Sequence, residues 1–134
     1  MSFTSSPRLW LFLAGLNGAL AVAGGAYGAH AEFVDAASRE IFSTAVQFQM
    51  WHALALLGVA CLIGRTSPAA NKLFHLSASL FCIGIILFCG TLYLLGLSGP
   101  RLFPGSAPTG GMALIAGWVL LAIGGVISHK KPGP

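Results

Sequence analysis

Residues 42–64, FSTAVQFQMWHALALLGVACLIG, form an apolar stretch long enough to cross a bilayer, yet they include Thr44, Gln47, Gln49 and His52. At 100° per residue and with His52 as zero, Gln49 falls near about +60° and Thr44 near about −80°, so one helix face carries all three. Gln47 and Ser43 fall almost opposite. Lipid offers no hydrogen-bond partners, so a polar face at membrane depth must find them on neighbouring helices.

Composition supports a chain built around such a segment. The 134 residues are 56% hydrophobic and 7% charged, and the mean hydropathy is +0.84. A soluble domain has roughly 45–50% apolar and about 25% charged residues. The formal net charge of +4 comes from seven basic and three acidic residues, nearly all outside the apolar runs. Single Lys and Arg residues, with Lys130-Lys131, flank membrane segments. They do not form the clustered basic surface that nucleic acid requires. The expected partners are therefore the lipid bilayer and, through glycine faces, another copy or another membrane protein, with no nucleic acid.

Hydropathy divides the chain into four spans, at about residues 9–29, 42–64, 73–97 and 110–128, making a single transmembrane domain over residues 1–134. The expectation is an all-α, four-helix membrane bundle. For the first run there is a rival reading as a secretory signal, since Arg8 precedes it and Ala29-His30-Ala31 imitates a cleavage site. Its length and the charge pattern of the whole chain favour a retained span. Counting Lys and Arg gives Arg8, Arg65, Lys72, Lys130 and Lys131 on one side against Arg39 and Arg101 on the other, which places both termini in the cytoplasm.

Connections carry their own signals. Asp35 is placed to cap the second helix, with Arg39 and Glu40 on a turn before Phe42 enters the membrane. Ser67-Pro68 reads as a helix break within a turn over residues 65–72, and Thr109 as a cap for the fourth span. A helix start at Gly110 would present free N–H groups able to hold a small anion or a carbonyl. Trp10 suits an interfacial aromatic belt, whereas Trp51 lies deeper and is expected to pack.

Small residues form a second pattern. Gly24 and Gly28 make a GxxxG, Gly15 and Ala19 a small-xxx-small pair, and Gly117, Gly124 and Gly125 a thin stripe on the fourth span. Such residues let helices approach closely in lipid. Their alternative use is an open backbone surface for a ligand or ion.

Blocks of sequence carry a resemblance. GAYGAH at 25–30, FQMWHALALL at 48–57, LFCGTLYLL at 87–95, PTGG at 108–111 and Gly117-Trp118 resemble the small inner-membrane family called domain of unknown function 423, whose animal relatives are transmembrane protein 256. The resemblance spans about residues 9–128. It implies a multi-pass protein of the cell's inner membrane and no established activity. His30, Gln49, His52, Gly90, Thr91, Tyr93, Gly110 and Gly111 match the family pattern. The chain departs from it at Gln47, where a basic residue often stands, and at Ala107, which replaces a threonine.

Chemistry is poorly provided for. Cys61, Cys82 and Cys89 lie in apolar runs without metal-ligand spacing, and Cys82 and Cys89, seven apart, are read as packing rather than redox groups. Only His75 and His129 share a depth, so neither a haem nor a metal is expected. No membrane carboxylate stands ready to exchange protons with His52, and no nucleophile, base and orienting group come together, so no enzyme activity is expected. The candidate site is a polar cluster of His30, Thr44, Gln49, His52, Thr91 and Tyr93 in the outer half of the bundle. His52 is expected to bond Gln49, Thr91 or Tyr93, above a dry inner half of leucine, isoleucine and cysteine. Gly24, Gly28, Gly90, Gly110, Gly111 and Gly117 are the expected helix-packing glycines. Two function classes remain open: a structural or accessory membrane protein, which is favoured, and a small oligomeric transporter or channel using the cluster as a path.

Overall fold

The computed structural model describes residues 7–128. His129 and Lys130-Lys131, used above for the histidine pair and the charge count, lie outside them. Helix α1 spans Pro7–His30, α2 Ala36–Leu62, α3 Pro68–Gly84, α4 Gly90–Gly96 and α5 Ser106–Val126, and a π-helical segment, Ile85–Cys89, joins α3 to α4. Pro68–Gly96 acts as one span, giving four helical segments long and apolar enough to cross a membrane and no strand among the described residues.

Capping explains where the helices start earlier than hydropathy implies. Asp35 is extended at φ −155°, and its Oδ1 accepts the Ser38 N–H at 2.7 Å, so α2 begins at Ala36 rather than Phe42. That bond holds the fully exposed Asp35 carboxyl below its ordinary pKa of 3.8. Pro68, expected to break a helix, starts one instead, because a proline in the first turn forgoes an N–H that has no helical partner there. Ser67 caps α3 by accepting from the Ala70 N–H at 3.3 Å.

The start of α5 also differs from expectation. Gly105, at φ +83°, turns the chain into the helix, and the Thr109 N–H bonds to the Gly105 carbonyl. Thr109 is therefore inside the helix and not its cap. Gly110 falls in the second turn, where its N–H belongs to the helical ladder, which removes the anion site imagined at that residue.

Packing centres on α2. Of the apolar window in α2, 44% is buried, against 17% for α1, which lies mainly along α2 at the margin of the bundle. Helix α5 packs along α3 and the π-helical segment. This second interface has a seven-residue rhythm: Phe74 meets Gly124, Phe81 meets Gly117, and Phe88 meets Gly110 with its backbone and Gly111 with its ring. A Cβ at Gly117 would stand 2.8 Å from the Phe81 ring, and one at Gly124 would stand 2.7 Å from that of Phe74. Gly84 and Leu114 repeat the fit with large and small exchanged between the helices. A seven-residue repeat of knobs in holes suits a shallow left-handed crossing.

Other expectations change for packing reasons. Trp51 is 53% exposed, whereas Trp10 is buried and its indole N–H reaches the His75 Nδ1 at 2.9 Å. Cys82 is half-buried and Cys89 buried.

Candidate functional site

Four helical pieces deliver polar side chains to the interior, and these sort into separate relays. In the first, the Tyr93 hydroxyl donates to the Gln49 Oε1 at 2.6 Å, and the Gln49 Nε2 donates to the Asn17 Oδ1 at 3.1 Å. The Asn17 Nδ2 then donates to the Leu13 carbonyl at 2.9 Å. This chain ties α4 to α2 and α2 to α1. Gln49 stands at the midpoint of the 27-residue α2, so the tie is made halfway along the helix.

His52 belongs to a second relay. The indole N–H of Trp118 can only donate, and it reaches the His52 Nε2 at 3.1 Å. That nitrogen must accept, so the proton sits on Nδ1, which donates to the Phe48 carbonyl at 2.6 Å. The ring is thereby held neutral in one tautomer, with both nitrogens occupied. Phe81 and Trp118 pack against it with centroids at 5.5 and 6.0 Å.

A third relay joins Ser106 and Thr91. The Thr91 hydroxyl donates to the Leu87 carbonyl at 2.6 Å, which leaves its oxygen to accept from the Ser106 hydroxyl at 2.7 Å. All three relays end on the carbonyl four residues before the last side chain: Leu13, Phe48 and Leu87. Helix carbonyls have a second lone pair, so these bonds add to the backbone ladder without dismantling it. Among the described residues the one buried side-chain polar atom left without a partner is the Thr66 Oγ1, away from all three relays.

The expected cluster is therefore divided. Gln49 and Tyr93 meet as a pair, His52 turns to Trp118, and Thr91 turns to Ser106 on α5. Thr44 bonds back to the Glu40 carbonyl of its own helix at 3.0 Å, and His30 is exposed at the end of α1; neither joins a relay. The half expected to be dry contains the Trp10–His75 bond and one from the Ser77 hydroxyl to the Gly117 carbonyl at 2.7 Å. Of the glycines, Gly24 faces the Tyr93 hydroxyl and Gly28 the Phe42 ring, each with 3.0 Å for an added Cβ; Gly110 and Gly117 sit against α3 and the segment that follows it. Gly90 is looser, with Leu102 at 3.6 Å, and Gly111 makes ordinary contact with Phe88.

Asn17, Ser106 and Trp118 are the relay members that sequence reasoning missed. Asn17 had a visible signal, an amide inside an otherwise apolar first span. Beside the second relay a crevice of about 470 Å³ opens between α2 and α5, lined by Phe48, Trp51, His52, Gly111, Leu114, Ile115 and Trp118. Its wall is aromatic and aliphatic, and His52 presents no free ring nitrogen to it. Among the described residues no three His, Cys, Asp or Glu side chains gather to hold a metal ion.

Comparison with known proteins fits this architecture. The protein-family model described as "Protein of unknown function (DUF423)" matches residues 24–111. The UPF0382 inner membrane protein YgdD of Escherichia coli K12 is 34% identical over 128 residues, 94% of this chain and 95% of its own. A UPF0382 membrane protein of Staphylococcus saprophyticus is 34% identical, covering 87% of this chain and 96% of its own, and one of Haemophilus influenzae is 36% identical, covering 86% and 91%. No solved structure matches the chain. With four membrane-capable helical segments and relatives of full length named as membrane proteins, the chain belongs to the DUF423 family, as a multi-pass protein of the inner membrane.

Proposed function

We propose that this protein is a structural or accessory component of the membrane, non-catalytic, whose buried relays fix the relative positions of its helices. The observation that carries this reading is the closed hydrogen bonding of His52: one nitrogen accepts from Trp118 and the other donates to Phe48, leaving no site for proton exchange. Gln49 is tied at both ends of its amide, its oxygen accepting from Tyr93 and its nitrogen donating to Asn17. Such groups serve as ties between helices, which lack a hydrophobic drive to associate in lipid.

The orientation in this proposal places both termini in the cytoplasm, as the Lys and Arg distribution favours. Thiol labelling of single cysteines placed in the 31–35 and 97–105 connections of intact cells tests it: labelling by an impermeant reagent supports the arrangement, and protection contradicts it.

The rival, a small oligomeric transporter or channel, needs a continuous polar path. The aromatic lining of the crevice beside His52 argues against one. Two measurements on the same variants separate the readings. His52→Leu and Gln49→Leu should each lower the unfolding midpoint of the purified protein, while proton and solute flux in reconstituted vesicles stays at the protein-free background. Unchanged midpoints would sink the structural reading. Flux present in the native protein and abolished in both variants would establish the transporter.

A further inference from the structure

Where α1 stops and α2 begins, the two helices enclose a cavity of about 240 Å³ between Gly25 and Gly28 of α1 and Arg39, Ser43 and Val46 of α2. Its lining is graded along the axis. Arg39 stands nearest the connection, Ser43 one turn further in, and Val46 about 10 Å from Arg39 by helical rise. Residues 9–31 and 41–64 carry no Asp, Glu, Lys or Arg, so Arg39 belongs to the polar edge of the membrane and Val46 to its apolar side. Behind Gly24, at the inner end, lies the Tyr93 hydroxyl, whose proton is already given to Gln49.

The groups at the mouth are free to bind. Arg39 is exposed, its guanidinium lies over the Phe33 ring at 5.1 Å, and it makes one long bond to the Ala31 carbonyl at 3.5 Å. Stacking on a ring fixes the guanidinium plane and leaves N–H groups at its edge for an acceptor. Among the described residues Arg39 forms no ion pair, although Glu40 is its neighbour, and the Ser43 hydroxyl has no partner. Arg39 is also the one ionisable side chain among the described residues of the lining.

Size, gradient and charge select the occupant. Sites that enclose a whole ligand run to roughly 300–1,000 Å³, so this smaller one receives part of a molecule whose remainder lies outside it. One cationic donor at the polar edge above an apolar slot matches a phosphate that carries a hydrocarbon chain. The connection narrows the headgroup further. Over residues 31–41 the carboxylates of Glu32, Asp35 and Glu40 against the single guanidinium of Arg39 leave a charge of −2. That field repels a headgroup with no cation of its own and favours one that sets an ammonium beside its phosphate.

We propose that the cavity holds one zwitterionic phospholipid of the ethanolamine class, its phosphate on Arg39 and Ser43 and the start of an acyl chain in the slot between Gly25 and Val46. The site goes beyond the helix-tying role proposed above and does not depend on it.

Native mass spectrometry of the full-length protein in detergent, titrated with phosphatidylethanolamine or with phosphatidylglycerol of the same chains, reads the site. The native protein should bind one phosphatidylethanolamine at least tenfold more tightly than phosphatidylglycerol. Glycerophosphoethanolamine and inorganic phosphate, which lack chains, should fail to displace it at equal concentration. Arg39→Gln should weaken binding at least tenfold and unfold at the native midpoint, which separates a lost site from a lost fold. At Gly25 an added Cβ meets Val46 at 3.5 Å, an ordinary contact, so Gly25→Leu should be accommodated, fill the slot and abolish binding. A protein that retains no phosphatidylethanolamine, phosphatidylglycerol bound as tightly, displacement by either chain-free probe, or binding indifferent to Arg39→Gln or Gly25→Leu would each overturn the inference.

Discussion

Trp118 and Ser106 each donate a hydrogen bond to a polar side chain that donates in turn to a helix carbonyl, Tyr93 reaches one through two side chains, Gln49 and then Asn17, and this shared direction makes their effects predictable. Removing an end donor frees a single acceptor, whereas removing a middle residue strands groups on two helices. Trp118→Phe should therefore cost little, about 0.6 kcal/mol and up to about 1.7 kcal/mol, the range of hydrogen bonds between membrane helices. His52→Leu should cost more, about 1–3 kcal/mol, because the Trp118 indole N–H then lacks its partner. Denaturant unfolding in micelles checks both, and reversal of that order would contradict the direction assigned to the relay. At this scale the sequence was half legible. A polar side chain in an apolar span announces that it needs a partner, as Gln49 and His52 did. Which partner it takes depends on helix rotation and register, so His52 was expected to meet Gln49, Thr91 or Tyr93 and found Trp118 instead.

At the scale of elements, the α3–α5 contact is written in two matching periods, phenylalanine at 74, 81 and 88 and glycine at 110, 117 and 124. Each period is readable alone, but their pairing appears only when the two helices are set antiparallel. Gly110→Ala would press a methyl group against the Phe88 backbone, which can yield only by parting the helices, so a loss of about 1–3 kcal/mol is expected. Gly15→Ala, with open space around it, should be neutral or stabilising by up to about 1 kcal/mol through helix propensity. Unfolding midpoints of the two variants should move in opposite senses or differ by that margin. Helix starts were less legible than spans, because a cap or a first-turn proline extends a helix beyond the apolar run that hydropathy detects. Asp35 offers a test. Its carboxyl has a lowered pKa in the folded chain, so its contribution to α2 is complete at neutral pH and is lost as pH falls below 3.8 and through the folded value. The hydrogen-exchange protection factor of the Ser38 amide should decline over that interval, and Asp35→Ala should show the same decline at neutral pH.

For the whole molecule, composition and hydropathy were decisive, since a chain with 7% charged residues and four long apolar runs has little option but a helical bundle in lipid. The order of packing was not legible: nothing in the pattern of α1 reveals that it lies at the margin, held to the bundle by α2 and by Asn17 reaching Gln49. Membrane helices bury little apolar surface against water when they meet, so close small-residue contacts and a few interhelix bonds decide the arrangement. The central claim is that the relays are among those deciding bonds. A double-mutant cycle of Gln49→Leu and Tyr93→Phe, read by denaturant unfolding of the purified protein, measures it most directly. Each single variant should be destabilised, and the double variant should lose less than their sum by about 1 kcal/mol, the coupling expected of contacting partners in one network. Single variants that unfold with the native protein, or losses that simply add, would contradict the account.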